Sequence, residues 1–153
     1  MRYLFRGIFL AVFFTLIYRS CKSGKAENEV RNSVLHNNFF LKGKVLNVKT
    51  SGNHGFGIVL IRIDSINPGI FPDTLLKNGL QKAIYPYKVR YGKAEIYISS
   101  YAFKKGDEVT LDSDKKEVTY VNANKNKHSE KTGLKIIIDP VDIDFVKENA
   151  ILK

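Results

Sequence analysis

Residues 85–99 read YPYKVRYGKAEIYIS, and this stretch decides the fold class. Tyr85, Tyr87, Val89 and Tyr91 fall on one side of a period of two, with Lys88 and Arg90 on the other. After Gly92-Lys93 the alternation resumes as Ala94, Ile96 and Ile98 against Glu95, Tyr97 and Ser99. Successive side chains of a strand point to opposite faces, so each run predicts a half-buried strand. The glycine between them predicts a hairpin.

Working outward, Phe56–Ile66 (FGIVLIRIDSI) is apolar on both faces around Ile58–Ile61, which predicts a central strand covered on both sides. Ser51–His54 is turn chemistry ahead of it. Leu41–Val48 is a further strand whose alternation breaks where Val45 and Leu46 are adjacent, and Gly43 predicts a bulge that re-aims it. Asn67-Pro68-Gly69 is a turn, and Pro72–Gly79 predicts a short helix with Asp73 or Thr74 near its cap. Further on, turns at Lys104–Asp107 and Ser113–Lys115 lead into strands around Val109–Leu111 and Glu117–Val121. Asn122–Gly133 reads as an exposed loop or long hairpin tip. Leu134–Ile138 is expected as a last strand stopped by Asp139-Pro140, and Phe145–Leu152 as a short helix capped by Asp142 or Asp144.

Five to seven mainly antiparallel strands with one or two short helices make an all-β, β-rich domain. The bent glycine-containing first strand, the long central strand and a helix inserted midway resemble a small OB-type barrel. An immunoglobulin-like sandwich is the alternative, weakened by irregular strand lengths and the absence of any Trp.

The N-terminus reads differently. Arg2 and Arg6 precede twelve residues, Gly7–Tyr18, that are apolar except for Gly7 and Thr15. A membrane-crossing helix needs about 20 apolar residues, whereas the core of a secretory signal runs to about 7–15. Export is the expectation. The single cysteine, Cys21, follows directly after Ser20. A small residue before Cys after an apolar run resembles the lipobox of bacterial lipoproteins, here a relaxed one with Tyr18 and Arg19 in the preceding places. The resemblance implies lipidation of Cys21 and a stable anchor; it covers residues 1–21 alone. An uncleaved anchor helix from Tyr3 to Tyr18 and an apolar helix buried in a soluble protein are the competing readings. The expected organisation is a signal peptide at 1–20, a lipidated Cys and polar tether at 21–36, and one β-barrel-like domain at 37–153.

One Cys excludes a disulfide framework and any multi-cysteine metal site. No P-loop, nucleophile elbow, HExxH or dinucleotide fingerprint is present. His54 lies in a Gly-rich turn, but a strand follows rather than the helix a phosphate cradle requires. Asp107, Glu108, Asp112 and Asp114 cluster around turns, and Asp139, Asp142 and Asp144 form a second group. Turn formation and helix capping explain both, so no catalytic residue, metal or cofactor is expected.

Charge is more informative. The chain carries +10, and residues 77–105 hold seven cations against Glu95 alone, interleaved with tyrosines. The alternating Tyr/Lys pattern is equally that of core tyrosines with a solvated basic side. As a contact surface it nominates Tyr97, Tyr101, Lys104 and Lys105, with Lys88 and Arg90. In the cytosol, basic residues and aromatics on an OB-like sheet would suggest single-stranded nucleic acid. The leader argues against that partner and for polyanions of the envelope, acidic lipid or polysaccharide, or an acidic protein. The expectation is a non-enzymatic, extracytoplasmic, membrane-anchored lipoprotein serving as an interaction or accessory module of a bacterial envelope complex. A polyanion or single-strand nucleic-acid binder is the second class, and a carboxylate hydrolase the third.

Overall fold

The computed structural model describes residues 13–18, 33–35, 37–67, 83–122 and 129–152. It divides into two units, Met1–Val34 and Leu35–Lys153. In the first, residues 13–18 are helical and Phe13, Phe14, Leu16, Ile17 and Tyr18 are all exposed. Among the described residues no helix is long and apolar enough to cross a membrane. Cys21 and the helix expected at Pro72–Gly79 lie outside the described residues.

The second unit is built on one antiparallel sheet. Its strands are β1 (Phe40–Thr50), β2 (Phe56–Ile66), β3 (Tyr87–Arg90), β4 (Lys93–Ser99), β5 (Glu108–Asp112), β6 (Glu117–Val121) and β7 (Ser129–Gly133). Their order is β3-β4-β2-β1-β5-β6-β7, followed in sequence by helix α1 (Pro140–Asn149). The hairpin read from residues 85–99 is β3–β4. Its two-residue loop is Tyr91-Gly92, both with positive φ (51° and 71°), the backbone of a type I′ turn.

The long strand β1 is bent by two register shifts against β2. Asp64 is the extra residue opposite Lys42/Gly43, and Leu46 is the extra one between Val45 and Asn47. Gly43 allows the first, because a Cβ there would run into the Arg62 carbonyl oxygen and come within 2.6 Å of Ile61 Cγ2. The curled sheet meets itself where Ile84 and Ile137 exchange both backbone hydrogen bonds at 3.0 Å. This closure does not lengthen toward β3. The next residue in line is Pro86, which has no N–H, and its carbonyl already accepts from Tyr97 N at 2.7 Å. The result is an all-β, OB-like half-barrel, and its single continuous sheet replaces the alternative of two facing sheets.

The inner face carries the main core: Leu41, Val45, Val59, Ile61, Ile96, Val109, Leu111 and Val118 are each no more than 2% exposed. Phe39 stacks on Tyr87 and Phe103 packs on Tyr120, both at 4.5 Å between ring centroids. Leu35, read from the sequence as tether, is fully buried in this core. On the other face of β2 and β4, Phe56, Ile58 and Tyr97 pack beneath Val146 of α1.

Three sequence expectations are corrected here. The last strand is Ser129–Gly133, upstream of Leu134–Ile138, of which only Ile137 makes a β-bridge, an isolated one to Ile84. Asp139-Pro140 starts the helix instead of stopping a strand: Asp139 accepts from Val141 N at 2.8 Å and Pro140 opens the first turn, where a missing N–H costs nothing. Finally, β4 is buried on both faces, so Glu95 and Tyr97 do not face solvent.

The core tyrosines predict an alkaline limit. Burial pushes the Tyr87 phenol up to about 12, against the opposing hydrogen bond from Asn37 Nδ2. Burial, then donation to the Glu130 carboxylate, holds Tyr120 at about 12 as well. Both states keep these protons below pH ~10; above it the unfolded chain loses them first. The stabilisation is therefore complete below about pH 10 and lost by about pH 12, with Tyr87 contributing on the order of 2 kcal/mol at most and Tyr120, paired with an exposed carboxylate, less. Urea midpoints should fall steeply across that window, and Tyr87→Phe should flatten the fall; equal slopes in both proteins would disprove the assignment.

Candidate functional site

Part of the outer face of the sheet lies under α1 and the residues after it. Glu95 is fully buried there: its Oε1 accepts from Ile151 N (2.6 Å) and Leu152 N (3.2 Å), and Tyr97 donates its phenol to Oε2 (3.2 Å). Tyr97 is 5% exposed, which removes it from the contact surface expected with Tyr101. The outer aromatic side chains Phe56 and Tyr97 are thus covered by the protein's own helix.

The loop from β4 to β5 keeps the rest of the expected group. Tyr101 is 71% exposed, with its ring over Gly55, whose positive φ and lack of a side chain permit the approach. The loop is fastened at several points. Ser100 N donates to Gly55 O at 2.8 Å, Phe103 is buried in the core, and Gly106 N donates to Val45 O at 2.9 Å. Asp107, 1% exposed, accepts from Lys104 N through Oδ2 at 2.8 Å. Lys104 and Lys105 stand exposed on this turn. Tyr101 and the two lysines are therefore presented by a fixed backbone, which reduces the ordering cost of binding.

Lys88 and Arg90 are elsewhere, on edge strand β3. Tyr101 follows the Ser99 end of β4 and Arg90 pairs with Lys93 at its other end, about 20 Å away for a seven-residue strand. Arg90 belongs to a different group. Register sets Lys44 of β1 opposite Arg62 of β2, Arg62 opposite Lys93 of β4, and Lys93 opposite Arg90 of β3. All four are exposed, forming a row of cations across four adjacent strands. Lys44 meets Glu108 at 3.9 Å and Arg62 meets Asp64 at 3.4 Å, both on the surface where such pairs are weak. Lys93 and Arg90 have no carboxylate within 4 Å among the described residues, and Arg90 lies 5.5 Å from the ring centroid of Tyr91, which is 87% exposed at the hairpin tip. Lys88 is half-buried, opposite Glu95.

The carboxylates of the two sequence clusters are engaged structurally. Asp112 pairs with Lys115 at 2.7 Å, and that hydrogen bond holds its carboxyl below the usual range. Asp114 accepts from Asn38 N, and Asp144 pairs with Lys147 at 3.1 Å. Asp142 accepts from Asn53 Nδ2 at 2.9 Å; burial raises its carboxyl against that bond. Asp139 and Asp142 line an open cleft of about 440 Å³ with Phe56, Tyr97, Ser99 and Lys135. His54 is exposed in the adjacent turn with φ 44°, and strand β2 follows it. Among the described residues no group of three or more His, Cys, Asp or Glu is placed to hold a metal ion.

Sequence reading missed two features. Glu95 looked like the solvated side of a strand, and nothing local announces that a segment some 56 residues later covers it. The cation row was partly visible: Arg62 is the sole cation in the apolar run Phe56–Ile66, and Lys44 lies equally far from Asn53 on the other arm of the hairpin. Comparison of the chain with protein-family models, with curated proteins and with solved structures gave no match.

Proposed function

We propose that the chain is a membrane-anchored, non-enzymatic interaction module of a bacterial envelope, an accessory subunit that offers the Tyr101–Lys105 loop to an acidic protein partner. The observation that carries it is that loop: an exposed Tyr and two exposed lysines on a backbone pinned by Gly55, Phe103, Asp107 and Val45. Tyrosine is enriched at protein interfaces because a large apolar ring and a polar tip sit on few rotatable bonds. The anchoring half rests on the apolar run Gly7–Tyr18 and on Cys21, supported by the exposed apolar side chains of helical residues 13–18.

Two measurements test it. The intact mass of the chain from membranes of its host should show a species beginning at Cys21 with added acyl mass, absent from Cys21→Ser. A photo-crosslinker at the exposed position 102, beside Tyr101, should then capture one envelope protein. Tyr101→Ala should weaken that association about tenfold or more, as an aromatic hot spot does, without changing the melting temperature. An unmodified chain free in the cytosol, or capture unaltered by Tyr101→Ala, would refute the proposal.

A further inference from the structure

We infer that the row Lys44–Arg62–Lys93–Arg90, with Tyr91 at its end, is a docking surface for anionic phospholipid headgroups, by which the anchored half-barrel lies against its own membrane. This rests on the anchoring proposed above and adds a second contact, separate from the Tyr101 loop. Like charges set directly opposite each other across strands are destabilising, and the row contains three such juxtapositions in succession. Glu108 and Asp64 relieve its first two members only, and the Lys93–Arg90 end has no carboxylate within 4 Å among the described residues. An array of phosphates is the complement such a row lacks.

Geometry favours a bilayer over a small anion. Four strands about 4.8 Å apart spread the cations along roughly 15 Å of one sheet face, a line suited to a plane of charges. Tyr91, at the exposed tip beside Arg90, has the amphipathic ring that settles at headgroup depth. Cys21 precedes Ser33 by twelve positions, a contour length of at most about 40 Å, which lets a domain tethered at Cys21 bring this face to the surface. Tethering also supplies a high effective concentration, so an attraction of modest strength per cation is sufficient.

The chain contains no Trp, so Tyr91→Trp introduces a single reporter. The full chain isolated from membranes carries it into phosphatidylcholine vesicles and into equal mixtures of phosphatidylcholine with phosphatidylglycerol. Emission at position 91 should shift to the blue and be quenched by brominated lipid in the anionic vesicles alone. The effect should vanish in about 1 M salt, where screening acts within about 3 Å. Adding Arg62→Gln, Lys93→Gln and Arg90→Gln should lower the docking equilibrium constant on the order of a hundredfold. The same changes should leave the melting temperature equal or higher, since they relieve repulsion. Equal signals in both vesicle types, with the chain still floating with each, would overturn the docking surface and leave the anchor standing. Failure to float with either would overturn the anchor and, with it, this inference. Docking unaltered by the three substitutions would place the contact elsewhere and also refute it.

Discussion

Replacing Glu95 by Ala is expected to lower stability by about 3 kcal/mol and to free the chain beyond Asn149. The substitution deletes the acceptor of two backbone N–H groups, Ile151 and Leu152, and of the Tyr97 phenol, in a place fully closed to solvent. A buried donor left without a partner costs about 1–3 kcal/mol, and Leu152 is itself 7% exposed. The segment should therefore peel away to hydrate its amides, loosening Val146 over Phe56, Ile58 and Tyr97. Denaturant melts would report the loss, with a fall in melting temperature on the order of 10 °C. Hydrogen exchange would report the site, as early exchange of the 151 and 152 amides. Glu95→Gln keeps an acceptor oxygen and should restore part of both. Unchanged protection of those amides in Glu95→Ala would show that the helix is held by its apolar contacts alone.

Gly43→Ala should be a severely damaging single-methyl change, at about 3 kcal/mol or more. Gly→Ala in a strand that can accept it stabilises by about 0.4–1 kcal/mol, because the unfolded chain becomes less free. At Gly43 the sign reverses. The new methyl meets the backbone of β2, where there is no flexible side chain to swing away. Either β2 separates from β1 or the register shift moves, and the curl of the sheet goes with it. Gly133 is the control: it lies in β7 with nothing within 4 Å of an added Cβ, so Gly133→Ala should be neutral or stabilising. Urea denaturation of the two variants settles the matter, and the same sign in both would refute the steric account.

What the sequence could convey depended on how local its cause was. The β3–β4 hairpin, the doubly apolar β2 and the bulge beside Gly43 follow from neighbours within a few residues, and each is where the pattern puts it. Asp139-Pro140 failed because a capping Asp before a first-turn Pro is written with the same two letters as a strand break. Glu95 and Tyr97 failed because their cover arrives from the other end of the domain, and alternation reports which residues share a face without saying whether that face is dry. Tyr91 was placed on the Tyr87 face by counting, but the turn lifts it out. The cation row is a property of register across four strands, of which the sequence shows only the equal spacing of Lys44 and Arg62 about Asn53.

The closure between Ile84 and Ile137 has a consequence for the order in which the domain folds. Every ladder of the sheet can form without it, whereas its two hydrogen bonds require both ends of the sheet to have arrived. Contacts between distant parts of a chain incur their loop entropy before they return any energy, which places this one late on the folding route. Ile137 lies three residues ahead of Pro140, so the joining of the edges brings the Asp139-capped start of the helix to the sheet. Seam and helix should thus arrive as one late cooperative step, and until then the apolar side of β2 and β4 stays open to water and to other chains.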